Sequence, residues 1–224
     1  MKTMIVIPCR NTGEKHIVNC IKSIRESGNE DLICVVDSNS PDKTYFTEIQ
    51  QYEVLIEDIN NTHHIDGAIW HCYEKYVDVE FFYIIHDSMV VNKKLTPITK
   101  NDLTVFSYFE GLPFDSDTQY VYSMSKIAET GLDLTNVKLN TLAGLFGTTL
   151  YCKRKILDDL KQLGLNKILP TNKLEAQASE RIWGIFLHKL GFDIRLNTLR
   201  EFINQNTEFT DKTDYITKIF VGRG

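Results

Sequence analysis

The sequence predicts an α/β fold, a mostly parallel central sheet flanked by helices. Three observations predict it. Short apolar runs without polar alternation recur along the first half, as strands buried on both faces require. Between them, apolar residues return every three or four positions, the period of a helix with one buried face. No repeat, low-complexity tract or glycine- or proline-rich linker divides the chain, so its 224 residues read as a single domain, 1–224.

Met4-Ile5-Val6-Ile7 is the first strand and stops at Pro8. Asn11 and Glu14 then stand at capping-box spacing ahead of Ile17, Ile21 and Ile24, which recur at helical intervals. Leu32 to Val36 forms the second strand and runs into Asp37-Ser38-Asn39-Ser40-Pro41, where Ser40 and Pro41 read as an N-cap and first helical residue. A third strand covers Val54 to Ile56, followed by a polar loop through Asn60, Asn61, His63 and His64. Ile65, Ile69, Cys72 and Tyr76 fit the inner face of the next helix. The most apolar strand, Phe81 to Ile85, ends at His86-Asp87-Ser88. Strand and helix alternating at this pace imply right-handed βαβ units.

The second half is less regular. Leu103 to Phe109 reads as a strand, Gly111 to Gln119 as a turn-rich loop and the stretch near Tyr120 to Ala128 as a helix. Gly144 to Cys152 reads as a strand, Lys153 to Leu163 as a helix, and Glu175 to Leu190 as a strong helix closed by Gly191. Phe192 to Leu196 is expected to return as a strand.

Lys and Arg number 25 against 30 Asp and Glu, a formal charge of −5. That balance excludes a basic nucleic-acid-binding domain. It still admits a nucleotide, because a bound metal can supply positive charge locally. The five cysteines are odd in number, form no C-x-x-C pair and lie in apolar runs, which predicts buried thiols in a reducing compartment. The chain enters its first strand at once, leaving no room for a signal peptide, and no apolar stretch is long enough to cross a bilayer. A soluble, cytoplasmic protein without a transmembrane segment is expected.

Ligands of an open parallel sheet collect at the carboxyl ends of its strands. Two strands end there in an aspartate beside small polar residues, Asp37 and Asp87. Such a carboxylate either binds a base, ribose or metal, or caps its own loop. His63, His64 and His71 lack a further ligand at structural-zinc spacing and read as loop and helix-surface residues.

In order, Val6-Ile7-Pro8-Cys9-Arg10-Asn11, Ser23-Ile24 and Val35-Val36-Asp37-Ser38-Asn39-Ser40-Pro41-Asp42 resemble the opening of the inverting glycosyltransferase family 2, which has the GT-A fold. The likeness continues at Ile85-His86-Asp87-Ser88, where that family carries its Asp-x-Asp metal motif, and at Gly144-Leu145-Phe146-Gly147 with Arg154. It ends on Ser179-Glu180-Arg181-Ile182-Trp183 and Lys189-Leu190-Gly191-Phe192. The resemblance implies a GT-A-type domain with a nucleotide-binding half of about 1–100 and an acceptor-binding half of about 101–224. It implies transfer of a sugar from a nucleotide-diphosphate donor, UDP-type first, to a glycan or other hydroxyl acceptor, with inversion. Pro8, Arg10, Asn11, Asp37, Asn61 and His86 are then the nucleotide-binding candidates. Asp87 becomes the ligand of Mn²⁺ or Mg²⁺, with His86 either a further ligand or an occupant of the space. Glu180 takes the place of the general base, its alternative being a first-turn acid placed by the helix dipole. Arg181, Trp183 and Gly147 fall beside the acceptor, although Trp183 also fits a core.

Two departures stand out. Ser38 replaces the second aspartate of the family's Asp-Asp pair, and Asp87 is the only carboxylate of its motif. A sugar nucleotidyltransferase on a similar fold would show a glycine-rich phosphate loop after the first strand, where only Gly13 is present. A dinucleotide-binding dehydrogenase lacks its G-x-G-x-x-G. A non-catalytic nucleotide- or sugar-binding domain remains compatible with the reduced metal motif.

Overall fold

A computed structural model of the chain describes residues 2–11, 15–95, 102–109, 114, 116–196, 210–212 and 215–219. β1 (Thr3–Cys9), α1 (His16–Glu26), β2 (Leu32–Ser38), α2 (Tyr45–Gln50), β3 (Val54–Ile59), α3 (His64–Lys75) and β4 (Phe81–Ile84) alternate as predicted. There follow β5 (Met89–Val91), β6 (Leu103–Val105), β7 (Tyr108–Phe109), α4 (Asp117–Thr130), β8 (Gly144–Leu145), β9 (Leu150–Lys153), α5 (Arg154–Gln162) and α6 (Lys173–Lys189). β10 (Thr210–Lys212) and β11 (Ile216–Ile219) close the chain.

The main sheet has six strands in the order β3-β2-β1-β4-β9-β6. β1 pairs in parallel with both β2 and β4, β2 in parallel with β3, and β9 antiparallel to β4 and β6. This mostly parallel α/β sheet matches the expected fold class. Its unbroken apolar strands follow from burial on both faces. Ile5, Ile7, Ile33 and Val35 point into one core with Ile17, Ile21 and Ile24 of α1, while Met4, Val6, Cys34 and Val36 point into the other with α3 and α6.

The second half departs from its prediction in four places. The expected strand over 103–109 is split between two sheets as β6 and β7. The expected strand over 144–152 is broken by a short 3₁₀ turn, Phe146–Thr148, where Gly147 has φ 63°. The helix near 120–128 is longer, capped by the Ser116 side chain and ended by Gly131 at φ 76°. Phe192–Leu196 is no strand: Gly191, at φ 86°, turns the chain, and the Phe192 amide donates back to the Leu187 carbonyl at 3.0 Å. Cap expectations in the first half also shift. Ser40 and Pro41 precede α2 without capping it, and Asn11 stands apart from α1, which starts at His16 without a side-chain cap. Glu14 and most of the 111–115 loop lie outside the described residues.

All five cysteines are buried and none is in a disulfide. No helix among the described residues is long and apolar enough to cross a membrane.

Candidate active site

The strand order creates the site. The chain steps from β1 outward through β2 and β3, then returns across β1 to lay down β4. Where strand order reverses, the loops leaving neighbouring strands diverge and open a crevice at their carboxyl ends. Here that crevice is a cavity of about 550 Å³. Pro8 and Arg10 line it from the end of β1, Asn61 from the loop after β3, and His86 and Asp87 from the end of β4. These five predicted residues are brought together, joined by Ser38 and Asn39 after β2.

Asn61 is a fixed part of the wall. Its Nδ2 donates to Ser38 Oγ at 3.0 Å and to the His64 carbonyl at 2.7 Å, and its Oδ1 accepts from the His63 amide at 2.9 Å. His64 is exposed, as expected of a surface residue, and also lines the cavity. Desolvation, then the neighbouring Arg10 and His63, lower its pKa. Among the described residues, three of the five non-glycine residues with positive φ, Asn39, His64 and Thr148, line this cavity or the one adjoining it. For β-branched Thr148 this is a true outlier, and such strain concentrates where a fold holds a working geometry.

Asp37 and Asn11 do not face the cavity. Asp37 is fully buried. Its Oδ1 accepts from the Ser40 amide at 2.9 Å and its Oδ2 from the Tyr45 hydroxyl at 2.6 Å. The Ser40 hydroxyl in turn accepts the Asn11 amide at 2.6 Å. This chain of bonds ties the loop after β2 to the end of β1 and shapes the wall from behind. The hydroxyl of Tyr45 arrives from the next helix, and nothing local to Asp37 announced it.

Behind His86 the chain turns sharply at Gly147. A Cβ there would lie 2.4 Å from His86 Cε1, and φ is 63°, so only glycine fits. His86 Nε2 lies 2.7 Å from the Gly147 carbonyl, and the Gly147 amide donates to Glu180 Oε1 at 3.0 Å. The elbow therefore couples the strand-end histidine to the helix glutamate. Glu180 also lines an adjoining cavity of about 150 Å³ that shares His64 and Ile65 with the larger one.

Glu180 does not open its helix. α6 starts at Lys173, where the Asn172 side chain accepts the Glu175 amide at 3.0 Å and Glu175 accepts the Thr171 amide at 2.7 Å. Glu175 is thus the first-turn acid, and the dipole, confined to that turn, does not account for Glu180. Rotation of α6 is set by Asp66 of α3. Its Oδ1 accepts from Ser179 Oγ at 2.9 Å and from Trp183 Nε1 at 2.5 Å, one helical turn apart. Burial pushes the Asp66 carboxyl up to about 6 against these stabilising bonds. Trp183 is fully buried and stacks on Trp70, with ring centroids 6.2 Å apart, so it is core and not acceptor wall. Arg181 is buried too, its guanidinium 4.7 Å from the Phe109 ring centroid and its NH1 donating to the Gln177 carbonyl. Arg154 sits at the far end of β4, donating to the carbonyls of Val79, Tyr73 and Tyr76.

Sequence reasoning missed Lys218. β11 pairs antiparallel with β5, setting Lys218 opposite Met89. Its ammonium lies 2.5 Å from His86 Nδ1 and 2.8 Å from Ser88 Oγ. A carbonyl only accepts, so Nε2 carries the imidazole hydrogen toward Gly147. An ammonium only donates, so the Nδ1 lone pair is turned to Lys218. His86 is therefore left with no lone pair for a metal. Among the described residues, no group of three His, Cys, Asp or Glu side chains could hold an ion. One carboxylate plus substrate phosphates can suffice for Mg²⁺. The ammonium weighs more heavily. It is bonded to both side chains that flank Asp87, and a positive charge there repels a second cation. The motif as folded does not fit a divalent ion.

Residues 4–64, from β1 to the start of α3, match the profile described as Glycosyl transferase family 2. Solved structures extend the likeness to most of the chain. CmsA/Ktr4 from Aspergillus fumigatus, in its Mn/GDP form, superposes with a TM-score of 0.53 at 9% identity, covering 88% of this chain and 72% of its own. The fold is GT-A. GalNAc-T7 with UDP, GalNAc and Mn²⁺ gives a TM-score of 0.52 at 12% identity over 81% of this chain and 40% of its own. S. aureus TarS 1–349 with UDP gives 0.50 at 17% identity, covering 81% of this chain. The chain spans 54% of that TarS chain, about half its length. A search of curated protein sequences finds no significant match. The structural likeness thus covers 81–88% of the chain, whereas the family 2 profile covers only residues 4–64.

Proposed function

We propose that the chain transfers a sugar from a nucleoside diphosphate sugar to a hydroxyl acceptor, with inversion at the anomeric carbon. One observation carries this reading: Glu180 and the His86-Asp87 strand end approach the Gly147 elbow from opposite sides, bonded to successive peptide groups. In this reading residues 1 to about 100 bind the donor and about 101 to 224 bind the acceptor. Nucleoside and ribose lie along Ser38, Asn39 and Asn61, with the diphosphate toward His86 and Asp87. UDP in two of the neighbouring structures supports a uridine donor as first choice.

The acceptor enters through the smaller cavity beside Glu180. A hydroxyl is a weak nucleophile at neutral pH, so its proton must leave as the oxygen attacks. Glu180 takes that proton, its carboxylate held by the Gly147 amide. The oxygen bonds to the anomeric carbon as the bond to the diphosphate breaks on the opposite face, which inverts configuration. Asp37 sets the shape of the donor wall without touching the donor.

Glu180→Gln tests the assignment. It preserves shape and the bond from Gly147. UDP binding, followed by calorimetry, should be unchanged. UDP release from UDP-sugars with a panel of glycan acceptors should fall by about a hundredfold or more. Turnover near that of the parent would remove Glu180 as the base.

A further inference from the structure

The donor reading requires positive charge where a diphosphate leaves, and the His86-Asp87-Ser88 strand end does not fit a divalent ion such as the manganese present in two of the neighbouring structures. The same strand end carries another cation. Lys218 is delivered by β11, whose register on β5 is fixed by backbone pairing and by Asn92, which donates from its amide to the Tyr215 carbonyl at 2.7 Å and from Nδ2 to Thr217 Oγ1 at 2.9 Å. The ammonium bridges His86 Nδ1 and Ser88 Oγ, the two side chains flanking Asp87. His86 and Asp87 line the cavity, so the bond from Lys218 to His86 sets the ammonium beside that wall.

We propose that Lys218 supplies, in place of a divalent ion, the positive charge that meets the nucleotide's diphosphate. The proposal rests on the donor-binding reading above. A lysine binds phosphate as a point charge on a flexible stem, and a phosphate oxygen is a stronger acceptor than a serine hydroxyl. Nζ therefore turns from Ser88 to the diphosphate while its bond to His86 anchors it. Arg10, on the exposed rim of the same cavity, adds a second cation at the end of the adjacent strand β1. The arrangement also accounts for the reduced motif. Serine in place of a second aspartate lets an ammonium settle where two carboxylates would gather a metal.

Calorimetry on the full chain tests this, with UDP and uridine as probes, each in EDTA and in manganese. The parent should bind UDP in EDTA within about threefold of its affinity in manganese. Lys218→Met should weaken UDP binding in EDTA by about tenfold or more while leaving uridine binding unchanged. Lys218→Arg should retain most of the affinity. UDP binding that vanishes in EDTA and returns with manganese, equally in the parent and in Lys218→Met, would overturn the lysine assignment and leave the donor reading standing. No binding of UDP in either condition would remove both. The EDTA-to-manganese comparison uses the unaltered chain, so it decides even if the variants fold poorly.

Discussion

β2 ends in Asp37-Ser38, and β4 runs into Asp87-Ser88, two strands apart in the same sheet. Locally they look alike, an apolar strand giving way to an acid and a small hydroxyl. Their surroundings separate them. Asp37 is fully enclosed and bonds to the Ser40 amide and the Tyr45 hydroxyl, both within eight residues of it. Asp87 lines the cavity, and its neighbours His86 and Ser88 are bonded to Lys218, 132 and 130 residues away. An acid whose partners come from the next loop becomes part of the scaffold. At Asp87 the flanking side chains meet a residue from the far end of the chain, and the acid itself faces the cavity.

The largest effect expected from this contrast is on stability. Asp37→Ala removes a charged acceptor from two buried donors, each such bond contributing about 1.5–3 kcal/mol. The variant should lose about 3–6 kcal/mol in urea denaturation. A loss below 1 kcal/mol accompanied by weaker UDP binding would break the contrast, because Asp37 would then face the nucleotide.

The contrast also explains how much was legible in the sequence. Apolar runs and three-to-four spacing are local, so β1 to β4, the helices between them and the cavity edge at Pro8, Arg10, Asn61, His86 and Asp87 could be read directly. Asn11 and Asp37 were read as ligand-facing because strand-end position is visible while enclosure is not. The second half was harder, since its strands are two to four residues long and its turns depend on single positive-φ residues such as Gly147 and Thr148. Arg181 reads as acceptor-facing, and Trp183 as acceptor-facing or core, for a related reason. They follow Glu180 in sequence, but almost every residue of that stretch of α6 faces protein. Lys218 left no signal, because antiparallel pairing of β11 with β5 spans a long stretch of chain.

A smaller effect tests a third acid against the first two. Asp66 is buried like Asp37 and bonded through Oδ1, yet its carboxyl is raised to about 6 chiefly by desolvation. Between the ordinary carboxylate pKa of about 3.9 and about 6, the folded state holds this proton and the unfolded state has lost it. Stability from this group is therefore fully present below about pH 4 and declines as pH rises through 6, by up to about 3 kcal/mol. Asp66→Asn keeps the size of the side chain and removes that slope. Relative to the parent, the variant should gain about 3 kcal/mol between pH 4 and pH 8 in urea denaturation. A difference that stays flat with pH would show that Asp66 is ionised throughout, like an enclosed acid with sufficient partners.

The smallest effect, and the most discriminating, is expected at Asp87. If it holds a metal, converting it to asparagine removes the only carboxylate of the motif, and UDP affinity in manganese should fall steeply. If Lys218 supplies the charge instead, Asp87 is a negative group beside an incoming dianion, and its removal should help. Two unit charges about 6 Å apart repel by roughly 1–3 kcal/mol for effective dielectrics between water and a protein surface, and salt reduces this further. Asp87→Asn should then bind UDP about two- to fivefold more tightly in EDTA, and manganese should change that value little. Asparagine keeps the size of the side chain and an oxygen acceptor, so a gain in affinity cannot be ascribed to added contact area. Uridine, which lacks the phosphates, should bind parent and variant equally. A variant whose UDP affinity drops in manganese but matches the parent in EDTA would return Asp87 to the role of metal ligand and set both strand-end acids apart from Lys218.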